Sequence, residues 1–233
     1  YITVLLNDVN TKCIKAYMSY NYLEVSSTLT NFMTNELSSF YLDYIKDIVY
    51  IELKTAKRRK QVQSVLYDLV ECLVRLWAPI LSFTTEEVYQ YYGHKPVDSV
   101  HLLSFMPGVT YDNAQQLKDD FNKLLLIRDD VNKAIELKRN EKVIGKSLEA
   151  DVSIKISDEE KHLVKTLLDG KLEQFFIVSK SQIVEDDDLE AFEVAKIRIS
   201  KAEGVVCPRC WNISDEADEN MLCPRCHDIV KQL

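Results

Sequence analysis

The sequence predicts a mainly α-helical protein: an up-and-down helical bundle, then a small α+β domain, then a C-terminal knuckle or ribbon built on four cysteines. Three observations support this fold class. Apolar residues recur at three- and four-residue steps through the first 80 residues, which is the period of an amphipathic helix. After Gly145 the apolar period changes to two, which is typical of strands. Four of the 6 cysteines lie between positions 207 and 226.

Three apolar stripes predict the helices of the bundle. They consist of Ile2, Leu5, Val9, Cys13, Ala16 and Tyr20, then Val25, Leu29, Phe32, Leu37, Phe40 and Tyr44, then Val62, Leu66, Leu69, Leu73, Leu76 and Ile80. Asn21 separates the first two stripes, and Pro79 ends the third helix or lies just beyond its end, because proline disrupts a helix interior. Thr84 or Thr85, followed by Glu86, predicts the capped start of a short helix that continues through Tyr91.

The middle of the chain predicts one irregular connection and one long helix. Residues 93–111 contain prolines and scattered polar residues, so we expect them to pack over the bundle without regular structure. From Leu117 to Ala134 apolar residues return at helical spacing, and this helix is predicted to end near Asn140.

The α+β domain is predicted from alternation between apolar and polar residues. Residues 152–156 and 195–199 alternate in this way and are predicted to form strands. Between them we expect a helix over residues 158–168, with Ser157 as its cap. The acidic run 185–188 is interpreted as a solvated turn and not as a metal site.

Composition and charge exclude several classes of protein. Apolar residues make up 46% and charged residues 28%, which is ordinary for a soluble globular chain, and no apolar run reaches the roughly 18 residues of a membrane span. The net charge of −8 argues against a nonspecific nucleic-acid coat but says nothing about local patches. Without a secretion signal at Tyr1, and with clustered cysteines, we expect a reducing, cytoplasmic location. Because the chain opens inside an apolar stripe, we expect it to be cut from a longer polypeptide.

The clearest local motif is Cys-Pro-Arg-Cys, which occurs twice with twelve residues between the copies. Two thiolates three positions apart in a tight turn can face the same ion, and two such turns supply four soft ligands. The spacing therefore predicts one zinc ion held by Cys207, Cys210, Cys223 and Cys226. Four protein ligands leave no open position for water or substrate, so the zinc is expected to be structural. His227 is interpreted as a surface residue.

Basic and aromatic residues provide candidates for contact with nucleic acid. Each candidate also has a second interpretation. The lysines and arginines outside the knuckles could belong to a solvated helix start or a hinge. The knuckle arginines could balance the charge of the zinc thiolates, and the tryptophan could pack under the zinc loop. The candidates are Lys54, Lys57, Arg58, Arg59, Lys60, Lys138, Arg139, Lys142, Lys146, Arg209, Trp211 and Arg225.

No catalytic constellation is recognisable in the sequence. It contains neither a phosphate-binding P-loop nor a dinucleotide fingerprint, and its 4 histidines lie in no familiar nucleophile setting. Cys13 and Cys72 lie on apolar helix faces and are expected to be inert. The chain is therefore expected to be a binding module without a catalytic site or an organic cofactor.

Three segments resemble a known family. They read NELSSFYLD at 35–43, LWAPILSFTTEE at 76–87 and RNEKVIGKSL at 139–148. Together with the tetracysteine tail and its tryptophan after Cys210, they resemble the C-terminal third of bacterial-type isoleucyl-tRNA synthetases, which are class I aminoacyl-tRNA synthetases. The second segment is shared by anticodon-binding bundles of several such enzymes, so by itself it leaves valyl and methionyl relatives open. The third segment is more specific to the isoleucyl branch.

The resemblance implies a domain organisation and a function. Residues 1–142 would form the anticodon-binding bundle, 143–204 a small junction domain and 205–233 the zinc domain. The parent enzyme attaches isoleucine to its tRNA with ATP, but its nucleotide-binding signatures and editing domain do not occur in this sequence, so the chain alone is expected to be non-catalytic. The implied partners are isoleucine tRNA, through its anticodon stem-loop, and the N-terminal catalytic domain of the same monomeric enzyme. The alternative is a protein-interaction module, in which the acidic zinc ribbon and the bundle dock a partner protein.

Overall fold

The computed structural model describes residues 1–93 and 95–233. His94, in the predicted irregular connection, lies outside the described residues. Among the residues that are described, no helix has both the length and the apolar character needed to cross a membrane.

The chain divides into two compact units. The first comprises Tyr1–Val49 and Lys54–Ala114, and the second comprises Tyr50–Leu53 and Gln115–Leu233. The fold class is confirmed, because a helical bundle, a small α+β region and a cysteine-rich end are all present. The division into three domains at residues 142 and 204 stays a prediction.

The first unit is a bundle in which α1 packs against α2 and α4, and α4 packs against α5. Its helices are α1 (Ile2–Met18), α2 (Tyr22–Asn31), α3 (Leu42–Ile51), α4 (Lys57–Trp77) and α5 (Ser82–Gln90). The last two residues of α3, Tyr50 and Ile51, are assigned to the second unit. Asn21 caps α2 by accepting a hydrogen bond from the Glu24 backbone N–H (3.2 Å), which explains the predicted break. Pro79 lies two residues beyond the end of α4, as predicted.

A π-helical segment, Phe32–Tyr41, joins α2 to α3 without a break. The backbone N–H of Leu42 donates to the carbonyl of Leu37, five residues earlier, and the Ser39 hydroxyl donates to the carbonyl of Thr34 over the same spacing. Such i to i+5 turns are uncommon, and the sequence analysis predicted an ordinary helix here. The sequence does contain a signal for the π-helix: the buried residues Phe32 and Leu37 are five positions apart, which matches the i to i+5 hydrogen bonding of a π-helix.

The predicted cap of α5 is wrong. The helix begins at Ser82, two residues before Thr84, and its N-cap residue Leu81 offers no side-chain hydrogen bond. The Thr85 hydroxyl instead donates backwards to the Leu81 carbonyl (3.0 Å), and Ser82 does the same to Ala78 (3.1 Å). Thr84 and Thr85 already lie inside the helix, so neither occupies the N-cap position that the pattern predicted.

The connection lies over the bundle, as predicted, but it is not irregular throughout, because Val100–Leu102 form a short 3-10 helix. The Asn7 side chain accepts a hydrogen bond from the Val109 backbone N–H (2.7 Å), and the Asn10 amide donates to the Met106 carbonyl (2.9 Å). Asn10 is almost fully buried in α1, so its side chain satisfies backbone that would otherwise lack a partner.

The second unit combines one long helix, a four-stranded sheet and the cysteine-rich end. Its elements are α6 (Ala114–Asn140), β1 (Ala150–Lys155), α7 (Asp158–Leu167), α8 (Leu172–Phe176), β2 (Lys180–Ile183), β3 (Glu190–Ala191), β4 (Lys196–Lys201), β5 (Val205–Val206), β6 (Ile213–Ser214) and α9 (Pro224–Val230). The predicted end of α6 at Asn140 is confirmed. Ser157 caps α7 in a capping box with Glu160, also as predicted.

The sheet has the order β2-β1-β4-β3. β1 and β4, the two predicted strands, pair antiparallel with Val152 opposite Ile199 and Ile154 opposite Ile197. The sequence analysis missed β2, which pairs parallel to β1, because its residues are half-buried or exposed and carry no apolar alternation. Asp130 of α6 accepts hydrogen bonds from the backbone N–H groups of Val194 and Ala195, and so ties the helix to the start of β4.

Candidate metal centre and nucleic-acid interface

The four predicted ligands come together at one point in the second unit. Cys207, Cys210, Cys223 and Cys226 are all buried, and their Sγ atoms lie within 4.8 Å of one another. The Sγ atoms of Cys210 and Cys223 are 3.7 Å apart. All four side chains are therefore placed so that they could hold one metal ion between them.

Different local structures present the two cysteine pairs. The first pair lies in a turn after β5, where the Trp211 backbone N–H donates to the Cys207 carbonyl (2.8 Å) and Trp211 adopts a left-handed φ of 66°. The second pair lies on the first turn of α9, with Cys223 as N-cap and Pro224 as the first helical residue. Proline is well tolerated there because that position needs no amide donor. Residues three apart on a helical turn share a face, so Cys223 and Cys226 point the same way.

Backbone donors and burial act in opposite directions on the cysteine pKa values. Burial raises the pKa of Cys207, but N–H groups of Cys223, Cys210 and Arg209 donate to its sulfur and lower that pKa to about 6. Burial raises the pKa of Cys226 to about 11 and that of Cys210 well above its usual range. A metal ion is bound by thiolates, so a cation held here would have to deprotonate the buried thiols whose pKa is raised.

The predicted residues around the knuckles have distinct positions. Arg209 Nη1 lies 3.9 Å from the Sγ of Cys226, which favours charge balance of the thiolates for this side chain. Arg225 is exposed on α9. The side chain of Trp211 is 69% exposed, so the interpretation that it packs under the zinc loop is wrong; stacking on a nucleobase stays a prediction. His227 is half-buried and its Nδ1 lies 2.5 Å from Asp218 Oδ2, so the prediction of a surface residue is only partly right.

An apolar layer covers the cysteine cluster inside the second unit. Ile51, a residue of the short stretch Tyr50–Leu53, is 7% exposed and packs with the four cysteines. Leu222 and Ile229 pack against the same cluster from the second knuckle and α9. Sequence reasoning missed Ile51, because nothing local to it signals contact with residues more than 150 positions away.

The first basic segment lies at the start of α4 in the first unit. Arg58 and Arg59 are half-buried, and Arg58 Nη2 donates to the Tyr44 hydroxyl (3.1 Å), so Arg58 has a structural contact within the bundle. The lysines of the segment are exposed to solvent: Lys54, Lys57 and Lys60.

The second basic group follows the end of α6 in the second unit. Lys138 pairs with Glu141 (2.7 Å), and Arg139 donates to the Ser147 hydroxyl (2.8 Å). Lys142 is exposed and adopts a left-handed φ of 62°, and Lys146 is also exposed. These contacts favour a structural role at the junction for Lys138 and Arg139.

Comparison with known proteins identifies a family to which the sequence of this chain is similar. A family model described as "Anticodon-binding domain of tRNA ligase" matches residues 1–154, which is more than half of the chain. The chain belongs to this anticodon-binding family.

Relatives of the anticodon-binding chain include the isoleucine–tRNA ligases of Staphylococcus haemolyticus (42% identical over 217 residues), Staphylococcus saprophyticus (43% over 218) and Staphylococcus aureus strain JH9 (41% over 218). Each match covers 93% of this chain and 24% of the relative. The chain thus spans about a quarter of the length of the curated relatives it matches.

The sequence analysis did not identify two residues whose side chains hold the backbone of the cysteine-rich end, Asp218 and Ser179. The Asp218 carboxylate accepts hydrogen bonds from the backbone N–H groups of Asn220 and Leu222, both at 2.8 Å, and pairs with His227. These donors hold the pKa of Asp218 below its usual value. The Ser179 hydroxyl accepts from the Ile213 N–H (2.7 Å) and so fixes β6. The available sequence signal for Asp218 was its position four residues before Leu222, which is followed by Cys223, because an aspartate there can accept hydrogen bonds from the backbone of the turn that follows.

Proposed function

We propose that this anticodon-binding chain recognises the anticodon stem-loop of isoleucine tRNA as part of an isoleucine–tRNA ligase, which joins isoleucine to tRNA with ATP. One observation carries the proposal: identity of 41–43% over 93% of the chain to proteins named isoleucine–tRNA ligase. In this proposal the chain binds and orients tRNA. Activation and editing belong to the other parts of a cytoplasmic, monomeric enzyme, whose N-terminal catalytic domain is the chain's protein partner.

The proposed division of labour follows three regions. Residues 1–142 contact the anticodon stem-loop, residues 143–204 form a junction, and residues 205–233 form a zinc domain. The match of the family to residues 1–154 supports the first assignment.

The metal of the cysteine cluster is proposed to be one zinc ion bound by Cys207, Cys210, Cys223 and Cys226. A tetrahedral site with zinc–sulfur distances of about 2.3 Å has sulfurs about 3.8 Å apart, and Cys210 and Cys223 lie 3.7 Å apart. Four thiolates form a soft, closed ligand set that suits zinc and leaves no position for a reactant. The metal's role is therefore structural, and in small fingers it contributes on the order of 10–16 kcal/mol to folding.

Electrostatics limits how this chain could bind RNA. Residues 205–233 contain three basic and five acidic residues, so the zinc domain attracts no phosphate backbone as a whole. Contact there would be local, through the exposed Trp211 ring and Arg225. The exposed lysines at the start of α4 are better placed for phosphates, because a phosphate contact needs an accessible cation.

A salt titration of tRNA binding tests the proposed function. We expect the chain to bind isoleucine tRNA more tightly than valine tRNA, with an affinity that falls steeply as salt rises, because released counterions drive phosphate binding. A triple change of Lys54, Lys57 and Lys60 to alanine should weaken binding to both tRNAs and flatten the slope of log affinity against log salt by about 0.7–0.9 per lost contact.

The matched control removes three exposed lysines elsewhere: Lys15, Lys165 and Lys201. It changes the net charge equally, so an equal loss of slope would mean that the lysines of the basic segment have no special role. If the unaltered chain binds neither tRNA in a salt-dependent way, RNA recognition is refuted and the protein-interaction module is the better description.

Zinc content is tested separately. Native mass spectrometry should show one zinc ion per chain, which the paired changes Cys207→Ser and Cys223→Ser should abolish. A metal-free chain whose residues 205–233 stay protected from hydrogen exchange would contradict the zinc proposal.

A further inference from the structure

One face of α4 continues from the basic segment as a polar stripe that ends on a tyrosine. Lys60, Gln63, Ser64 and Tyr67 are exposed, and their spacing of three and four residues places them on the same side of the helix. An open groove of about 490 Å³ runs along this face, lined by these four residues and Asp68.

A hydrogen bond to a neighbouring side chain fixes the orientation of the Tyr67 ring. Its hydroxyl donates to Glu71 Oε1 (3.1 Å), and the other oxygen of Glu71 pairs with Arg75, whose Nη1 donates to the Ser104 carbonyl (3.0 Å). Glu71 is only 7% exposed, so the carboxylate at the centre of these hydrogen bonds is shielded from water, whereas the Arg75–Ser104 hydrogen bond is exposed. The hydrogen bond to the Glu71 carboxylate also raises the pKa of Tyr67.

The same ring still offers surface to a ligand. The Tyr67 ring centre lies 6.3 Å from that of Tyr92 at a tilt of 44°, and 56% of Tyr67 remains exposed. An aromatic ring with a fixed orientation loses little conformational freedom when a ligand stacks on it, which improves affinity.

We propose that Tyr67 is a stacking platform for one nucleobase of the single-stranded anticodon loop, with Lys60 at the adjoining phosphate and the Gln63 amide at the base edge. The proposal rests on the proposed function. Lys60 is already a candidate from the sequence, whereas the sequence motifs did not indicate Tyr67 or Gln63. A base is flat and apolar on its faces but polar on its edges, and the groove presents an aromatic ring beside an amide, a hydroxyl and an ammonium group.

Charge favours one direction for a bound nucleotide. Lys60 lies at one end of the groove and Asp68 at the other, eight residues further along α4. The carboxylate repels a phosphate at its own end, so the phosphate is expected beside Lys60. A protein segment that docks by apolar contact would instead need an apolar groove, and the polar residues Lys60, Gln63 and Ser64 do not provide one.

The experiment uses the whole chain and anticodon stem-loops of isoleucine tRNA that carry 2-aminopurine at successive loop positions. Changing Tyr67 to alanine should weaken binding roughly 5- to 150-fold, the range for loss of one stacked base, and leave the salt slope unchanged. It should also abolish the fluorescence change at one loop position. Lys60→Ala should instead lower the salt slope by about 0.7, the value for one phosphate of a single strand.

Two further variants keep the result interpretable. Tyr67→Phe retains the ring and should lose less affinity than Tyr67→Ala. Phe83→Ala removes another aromatic ring of the first unit, one that is 93% exposed, and should leave binding and fluorescence unchanged. Circular dichroism of each variant checks that helix content is retained.

The outcomes separate the two proposals. If the unaltered chain binds the stem-loop but Tyr67→Ala binds equally well, or if Phe83→Ala loses as much affinity, the platform is refuted and the proposed function stands. If the unaltered chain shows no salt-dependent binding to any tRNA, the proposed function itself fails and the platform with it.

Discussion

Replacing Asp130 with alanine is expected to loosen the sheet of the second unit from α6. Asp130 is 1% exposed, and its Oδ2 atom accepts hydrogen bonds from the backbone N–H groups of Val194 (2.7 Å) and Ala195 (3.2 Å). Its Oδ1 atom pairs with Lys133 at 3.2 Å. Without the carboxylate, two backbone donors at the start of β4 lose their acceptor.

The size of the effect can be worked from these contacts. Hydrogen bonds to a charged group contribute about 1.5–3 kcal/mol each, and a buried donor left without a partner costs about 1–3 kcal/mol. The Lys133 side chain is 54% exposed, so its ion pair adds at most about 1 kcal/mol. Because these contributions overlap, we expect a total loss of about 3–5 kcal/mol from the local stability of β4.

Hydrogen exchange followed by mass spectrometry measures this loss locally. Amides in Lys196–Lys201 should exchange on the order of 10²–10⁴ times faster in Asp130→Ala, while amides in Lys57–Trp77 of the first unit should not change. Asp129→Ala is the matched control, because Asp129 is the adjacent acid and is exposed. An acceleration below about tenfold in Asp130→Ala, or an equal one in Asp129→Ala, would refute the reasoning.

The same contact has a defined pH dependence. Burial raises the pKa of Asp130, but the Val194 and Ala195 donors and Lys133 together lower it below the ordinary value of 3.8. A carboxyl whose folded-state pKa is depressed stabilises the fold fully above its unfolded-state pKa and loses that contribution as the pH falls through the folded-state pKa. The difference between wild type and Asp130→Asn should therefore stay constant from pH 7 to pH 5 and shrink below a pH of about 3.8.

Two other predictions concern the cysteine-rich end. Gly204 has a φ of 124°, and a Cβ there would collide with the backbone of Ser214. Gly204→Ala should therefore destabilise the β5–β6 pairing by about 1–3 kcal/mol and speed zinc release to a chromophoric chelator. Unchanged zinc release would contradict this prediction. Arg209→Ala should also speed release, because Arg209 lies against the Cys226 sulfur, whereas Lys231→Ala, at an exposed position, should not. Equal rates in the two variants would show that Arg209 does not balance the thiolate charge.

Features that depend on neighbours in the chain could be predicted from sequence. The break at Asn21, the cap at Ser157 and the end of α6 at Asn140 each depend on residues a few positions apart, and the two Cys-Pro-Arg-Cys turns are only twelve residues apart. A helix face or a metal-binding turn is specified by local spacing, so periodicity and motif are sufficient to identify it. The family was recognisable for the same reason, because its motifs are short and contiguous.

Other features were decided by the tertiary structure, because they depend on partners far away in sequence. The polar strand β2 forms only where β1 offers a parallel edge, and Ile51 covers the cysteines from a distant part of the chain. Trp211 is exposed in the folded knuckle, where it adopts a left-handed φ. The orientation of the Tyr67 ring depends on hydrogen bonds that reach the Ser104 carbonyl. Sequence spacing shows which side chains can share a face, but only packing decides which of them is buried, held or left open to a ligand.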